Sequence, residues 1–198
     1  MSGVALLLIS DGRDDYLKQT MRSATEMLPV HDHFIHVDDS AHELGFAGAV
    51  QEGWRLALET GATHVFHLEQ DFTFRRAVDF AAMIRVFDHH PYLVQLALLR
   101  QPWNDAERAA GGIIEQHPGS YTKVFWDGLV WREHRRFVTT NPALWPRWVL
   151  ERGWPDGPHS EGRFGVDLFA SDENLRAAFW GDTVWVDHIG AERAGVGY

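Results

Sequence analysis

Continuous apolar runs alternate with helical periodicities along most of the chain, which is the pattern of an α/β protein. Residues 4–9 are all apolar and end at Ser10-Asp11-Gly12, as expected of a parallel strand buried on both faces and followed by a functional loop. Helix-forming residues at 16–28 place Tyr16, Met21, Ala24 and Leu28 on one side and stop before Pro29. Residues 33–37 read as a second strand ending in Asp38-Asp39-Ser40. In 47–59, Ala47, Val50, Trp54 and Leu58 recur at a helical period, and Gly61 stands where the helix should terminate. Residues 63–68 form a third apolar strand, again ending in acids, Glu69-Gln70-Asp71. A helix at 78–90, stopped by Pro91, and a buried strand at 93–99 complete this part.

The pattern weakens from Arg100 to Pro118, which is expected to be a loop over the binding crevice. Residues 125–131 suggest strand and turn. A helix is expected over 141–151, after Thr139-Thr140 and with Pro142 at an early helical position. A turn-rich loop follows at 155–162, a helix at 165–178, and a last strand at 183–186 running into Asp187-His188-Ile189-Gly190. Ligands of open α/β sheets bind outside the carboxyl ends of the strands. Three successive strands ending in Asp11, Asp38/Asp39 and Glu69/Asp71 therefore point to one crevice.

Composition narrows the chemistry. With 198 residues, 45% hydrophobic and 23% charged, the chain suits one domain spanning 1–198 with its own core. There is no cysteine, so any metal must be held by His, Asp, Glu or backbone oxygen, and thiol nucleophiles are excluded. Eighteen Lys and Arg against 28 Asp and Glu give a net charge of −10, which argues against affinity won by coating a phosphate backbone with cations. The first apolar run has no basic lead and is too short to span a bilayer, so neither secretion nor membrane insertion is expected, and a cytoplasmic location is.

The strongest local signal is His67-Leu68-Glu69-Gln70-Asp71-Phe72. Two acids one residue apart, directly after an apolar strand, point the same way and suit a shared hard cation, although acids also commonly solvate strand ends. Residues 65–74 resemble the Asp-X-Asp region of glycosyltransferases with the GT-A fold, in particular the small family-2-like enzymes of bacteriophages. Asn141-Pro142-Ala143-Leu144 with Pro158-His159-Ser160-Glu161-Gly162 is similar to their acceptor-side motif. Residues 185–190 with Arg193, Gly195, Gly197 and Tyr198 are similar to their closing segment. Glu69-Gln70 departs from the more usual aspartate-rich version.

The resemblance implies a Rossmann-like GT-A domain with a mainly parallel central sheet, a UDP-sugar donor and a cytoplasmic location, in the host if phage-encoded. Asp11 and Asp38 would accept hydrogen bonds from base and ribose, and Arg13 would pair with uracil or the diphosphate through its planar fork of donors. Glu69 and Arg193 complete the expected donor contacts. Gly45 and Gly48 open a helix whose free N–H groups favour phosphate, a pattern that an ordinary helix entry also gives. Asp71 and His188 would hold Mn²⁺ or Mg²⁺ with the two phosphates and water.

Glu161 is the expected general base, in a loop bounded by Pro and Gly where Trp154 or Phe164 would desolvate it; Ser160 and Glu161 equally suit a helix-capping pair. Trp126, Trp131, Trp180 and Trp185 lie near proposed loops and strand ends, where a flat ring would stack on a sugar or a base. The basic clusters Arg75-Arg76 and Arg132 to Arg136 are candidate polyanion contacts, and the phage-type resemblance suggests DNA with hydroxymethylated pyrimidines, hydroxymethyluracil among them, as acceptor. Two rivals stand beside this reading: a metal-dependent nucleotidyltransferase or pyrophosphatase, and a non-catalytic sugar- or DNA-binding protein.

Overall fold

A computed structural model describes residues 3–190; Arg193, Gly195, Gly197 and Tyr198 lie outside the described residues. The chain opens with β1 (Val4–Ser10), α1 (Asp14–Met27), β2 (His33–Asp38), α2 (Gly45–Glu59) and β3 (His64–Glu69). A short β4 (Phe72–Phe74), α3 (Phe80–His89) and β5 (Leu93–Leu98) follow. Next come α4 (Asp105–Ala110), α5 (Ile113–Gln116), a 3-10 turn at Pro118–Ser120, and the hairpin of β6 (Thr122–Trp126) and β7 (Leu129–His134). The last elements are β8 (Ala143–Pro146), α6 (Arg147–Leu150), α7 (Ser160–Ser171), β9 (Arg176–Trp180) and β10 (Val186–His188).

Among the described residues one large sheet has the order β2-β1-β3-β8-β5-β9-β7-β6, and β4 and β10 form a separate ribbon. Traced through their pairings, β1, β2, β3, β5, β9 and β6 share one direction, while β8 and β7 run against it. The α/β class and the mainly parallel sheet expected from the sequence are therefore observed. Strand β1 is buried along its whole length. Its alternation sends Ala5, Leu7 and Ile9 into a layer with α2 and α7, and Leu6 and Leu8 into a layer with α1 and α3. Gly53 lets α2 lie close to β1, since a Cβ there would come within 2.7 Å of a Leu7 methyl.

Three expectations fail in the second half. The helix expected at 141–151 is strand β8 followed by the short α6. β8 is inserted antiparallel between β3 and β5, with Ala143 and Trp145 in one apolar layer and Leu144 in the other. Four residues buried on both faces show no period, and Thr-Thr-Asn-Pro imitates a helix start. The helix expected at 165–178 begins earlier, at Ser160, and ends at Ser171; Arg176–Trp180 is β9. Ala177 and Ala178 favour helix by themselves, but pairing with β5 on one side and β7 on the other holds this segment extended. The segment read as a loop at 100–118 contains α4 and α5, and the Asn104 side chain caps α4 by accepting the Glu107 N–H.

Candidate active site

The turn after β3 drives Asp71 inward. The Gln70 N–H donates to Ile9 O at 3.0 Å, and the buried Thr20 hydroxyl donates to Gln70 O at 2.5 Å. The β4–β10 ribbon then sets His188 opposite Phe72, and Ile189 N–H donates to Asp71 O at 2.8 Å. Asp71 is 1% exposed. Its Oδ2 lies 3.0 Å from Arg13 Nη1 and 3.2 Å from His188 Nε2. Arg13 Nε also donates to Asp11 Oδ1 at 2.7 Å, and the Gln70 amide donates to the same oxygen. Asp11, Arg13, Asp71 and His188, from three separate segments, thus form one cluster. Gly190 closes it: a Cβ there would collide with Asp71 Oδ2.

Burial pushes the Asp71 carboxyl up, but His188 and Arg13 more than offset this and hold it below the usual carboxylate range. Its other oxygen, Oδ1, is buried with no partner among the described residues. Leaving such an acceptor unsatisfied costs on the order of 1–3 kcal/mol. An oxygen donor without a partner beside an imidazole nitrogen fits a hard divalent ion such as Mn²⁺ or Mg²⁺. Among the described residues no cluster of three His, Asp or Glu forms, so the remaining ligands would have to come from a substrate diphosphate and water.

His188 is held tightly. Its ring stacks between Phe72 and Trp103, with centroids 4.5 Å away on each side and interplanar angles of 14° and 15°. Its backbone is gripped by one side chain: Gln101 Oε1 accepts the His188 N–H at 2.8 Å and Gln101 Nε2 donates to its carbonyl at 3.0 Å. The segment carrying Gln101 and Trp103 is anchored in turn by the Arg100–Glu107 pair at 2.8 Å and by the Trp103 N–H donating to Glu107 at 2.8 Å. Sequence reasoning missed Gln101 and Trp103, which lie in a stretch without periodicity. The tryptophans singled out instead do other work. Trp131 and Trp180 are core residues, Trp126 packs on His89 and His90, and Trp185 lies under Arg76.

A cleft of about 970 Å³ opens at the carboxyl ends of the strands, and Gly45, Gly48, Glu69, Thr140, Glu161 and His188 are among its walls. Asp11, Arg13, Asp38 and Asp71 are not; Asp71 is buried against His188. Glu161 lies in the first turn of α7. That turn is fixed by the Trp154 indole, which donates to Ser160 Oγ at 3.0 Å, and by rings of Trp54, Trp154 and Phe164 with centroids 4.9–5.3 Å apart. Glu161 Oε1 accepts the Thr140 N–H at 2.7 Å and faces its hydroxyl at 3.3 Å. α7 has no side-chain cap, so Ser160 and Glu161 do not form the alternative capping pair. Burial pushes the Glu161 carboxyl up against the opposing pull of Thr140 and Thr139. Burial, then the charge of Asp71, pushes Glu69 up to about 8, with the Thr140 hydroxyl opposing and Glu161 adding to the rise. Two carboxyl groups therefore flank Thr140.

At the donor-side helix entry, the buried Asp39 accepts the N–H groups of Leu44 at 2.9 Å and Gly45 at 2.8 Å, fixing the start of α2. Gly45 has φ +64°, a backbone shape that favours glycine. Asp38 stands apart from the Asp71 cluster, exposed, accepting the Ser40 N–H at 3.0 Å and the Ser10 hydroxyl at 3.2 Å. The basic clusters brace the fold. Arg75 pairs with Asp187 at 2.6 Å and Arg132 with Asp182 at 3.0 Å, while Arg135 donates to the carbonyls of Phe169 in the last turn of α7 and of Leu175 beyond it, and Arg136 to Ser120.

No protein-family model and no curated protein matches the sequence. Among solved structures, the fold is similar to residues 1–349 of S. aureus TarS in complex with UDP-GlcNAc, with a TM-score of 0.58 and 11% identity over 99% of this chain. It is similar also to the same TarS fragment in complex with UDP, with a TM-score of 0.53 and 12% identity over 94% of this chain. A third likeness is to A197 from STIV, with a TM-score of 0.53 and 13% identity, over 91% of this chain and 82% of that one. This chain spans 62% of the TarS fragment in the first of these structures and 60% of it in the second. At such identities the likeness establishes the fold, which is GT-A-like.

Proposed function

We propose that residues 1–198 form one glycosyltransferase domain that moves a sugar from a UDP-sugar to a hydroxyl acceptor. One observation carries the reading: Asp71 and His188, remote in sequence, meet at 3.2 Å with a carboxylate oxygen left over, beside a cleft that also holds Glu161. The shared fold with a protein crystallised with UDP-GlcNAc supports the choice of donor. Asp71 and His188 would hold Mn²⁺ or Mg²⁺, which when bound neutralises charge developing on the departing diphosphate. Arg13, Asp11, Asp38, the Gly45–Gly48 entry, Glu69 and Arg193 serve donor binding.

Glu161 takes the proton from the acceptor hydroxyl as its oxygen attacks the anomeric carbon, and the bond from that carbon to the UDP oxygen breaks, with inversion. The upward push of burial on Glu161 suits a base working near neutrality. A hydroxymethylated pyrimidine base in phage DNA is the acceptor that the sequence resemblance favours, and it rests on that resemblance alone.

The test is incubation with Mn²⁺, a panel of UDP-sugars, and hydroxymethylated or plain DNA, followed by nucleoside mass spectrometry and nucleotide analysis. UDP release with a mass gain of one sugar is expected on the hydroxymethylated base. Release of UMP or pyrophosphate would instead mark nucleotidyl transfer or pyrophosphate hydrolysis. Absence of turnover with every donor would contradict the proposed reaction.

A further inference from the structure

β5 reads Leu-Val-Gln-Leu-Ala-Leu, and its one polar side chain, Gln95, is 1% exposed. Burying a primary amide is costly unless its donor and acceptor are both satisfied. Gln95 satisfies both on a single residue. Its Nε2 donates to the Thr139 carbonyl, and its Oε1 accepts the Thr139 N–H at 3.1 Å. The side chain thus acts as a piece of neighbouring strand for a segment that belongs to none, just before β8 begins. Packing alone does not call for an amide here, because an aliphatic side chain of similar volume would fill the same layer without a desolvation cost.

What Gln95 fixes is the cradle of Glu161. Thr140, the next residue, presents its N–H and hydroxyl to Glu161 Oε1 at 2.7 and 3.3 Å. The Thr139 hydroxyl accepts the Asn141 N–H at 3.2 Å, which fixes the chain on the far side of Thr140. Thr140 therefore aims two donors at one carboxylate oxygen, and the backbone leading into it is set by an amide from the next strand of the sheet.

We propose that Gln95 is a positioning residue for Glu161, acting through Thr139 and Thr140 to set the direction in which the carboxylate meets the acceptor hydroxyl. This rests on the reading of Glu161 as general base. Misplacing a reacting group by about 1 Å can cost on the order of 10²-fold in rate.

The experiment compares Gln95→Met and Thr140→Val, each alone and combined with Glu161→Gln, in steady-state UDP-sugar turnover, with UDP binding and circular dichroism as controls. Gln95→Met is expected to lower kcat by roughly 10–100-fold, and Thr140→Val by roughly 3–10-fold, with donor KM within about twofold of the parent. In the Glu161→Gln background neither substitution should lower the residual rate by more than about twofold, since groups acting as one unit are not additive. Equal losses in both backgrounds would show a general structural role and overturn the proposal, as would a parental kcat in Gln95→Met. If Gln95→Met does not fold, Thr140→Val decides alone, and a parental kcat there overturns it. Full activity of Glu161→Gln by itself removes the base assignment, and the positioning role falls with it.

Discussion

Among the buried polar side chains of β3 and the turn after it, His67 and Asp71 are each no more than 1% exposed, and the molecule treats these two in opposite ways. His67 sits in mid-sheet, registered against Leu7 and Ala143, and neither ring nitrogen has a partner among the described residues. Burial holds its imidazole down to about 4, so it is a neutral core residue. Asp71 lies one turn further on, at the strand end, where a guanidinium and an imidazole keep its charge on. The same shortage of partners therefore means different things. Around His67 it is a stability cost inside hydrocarbon; at Asp71 it leaves a buried anionic oxygen without a partner inside a charged cluster.

The strand-end side of this contrast breaks hardest at Glu161. Glu161→Gln should lower kcat by about 10²–10⁴-fold and leave UDP binding unchanged, checked by steady-state kinetics beside calorimetry. Next in size is the grip on His188. Gln101→Ala should weaken Mn²⁺ binding in the presence of UDP by about 10–100-fold, the usual effect of releasing a metal-ligating histidine from its support, read by Mn²⁺ paramagnetic resonance.

The core side gives the smallest effect. His67→Leu should stabilise the protein at neutral pH by about 1 kcal/mol, raising Tm by about 2–4 °C, by removing two unpartnered ring nitrogens. It should also flatten the acid limb of the stability curve. The folded imidazole titrates near 4 and the unfolded one near 6.5, so this stability is complete above pH 6.5. It is lost as pH falls toward 4, by up to about 3 kcal/mol, and thermal melts between those limits would show the loss in the parent alone.

How far the sequence could be read follows a physical boundary. β1, β2 and β3 with α1 and α2 were legible because each shows its own period or apolar run; of the acids at the strand ends, Asp11 and Asp71 meet in one cluster and Glu69 lines the cleft, while Asp38 stands apart. The meeting of Asp71 with His188 was expected from a family resemblance, and the structure supplies its cause in the β4–β10 register. β8 and β9 were misread because their conformation is imposed by flanking strands rather than by local pattern. The supports of the site were invisible for the same reason. Gln95, Gln101 and Trp103 act through backbone groups and ring faces far away in sequence, and no spacing announces such contacts. Asp39, next to the expected Asp38, proved to be the acid that builds the α2 entry, a distinction that strand-end position alone cannot draw.

The proposed role of Asp71 and His188 is to hold jointly a divalent ion that grips a nucleotide diphosphate. Calorimetric titration of UDP with and without Mn²⁺, on the parent and on Asp71→Asn, tests it most directly. UDP affinity should be strengthened by Mn²⁺ in the parent, with a loss of about 10²-fold or more of that strengthening in the variant. A folded Asp71→Asn protein with undiminished Mn²⁺-dependent UDP affinity would contradict it.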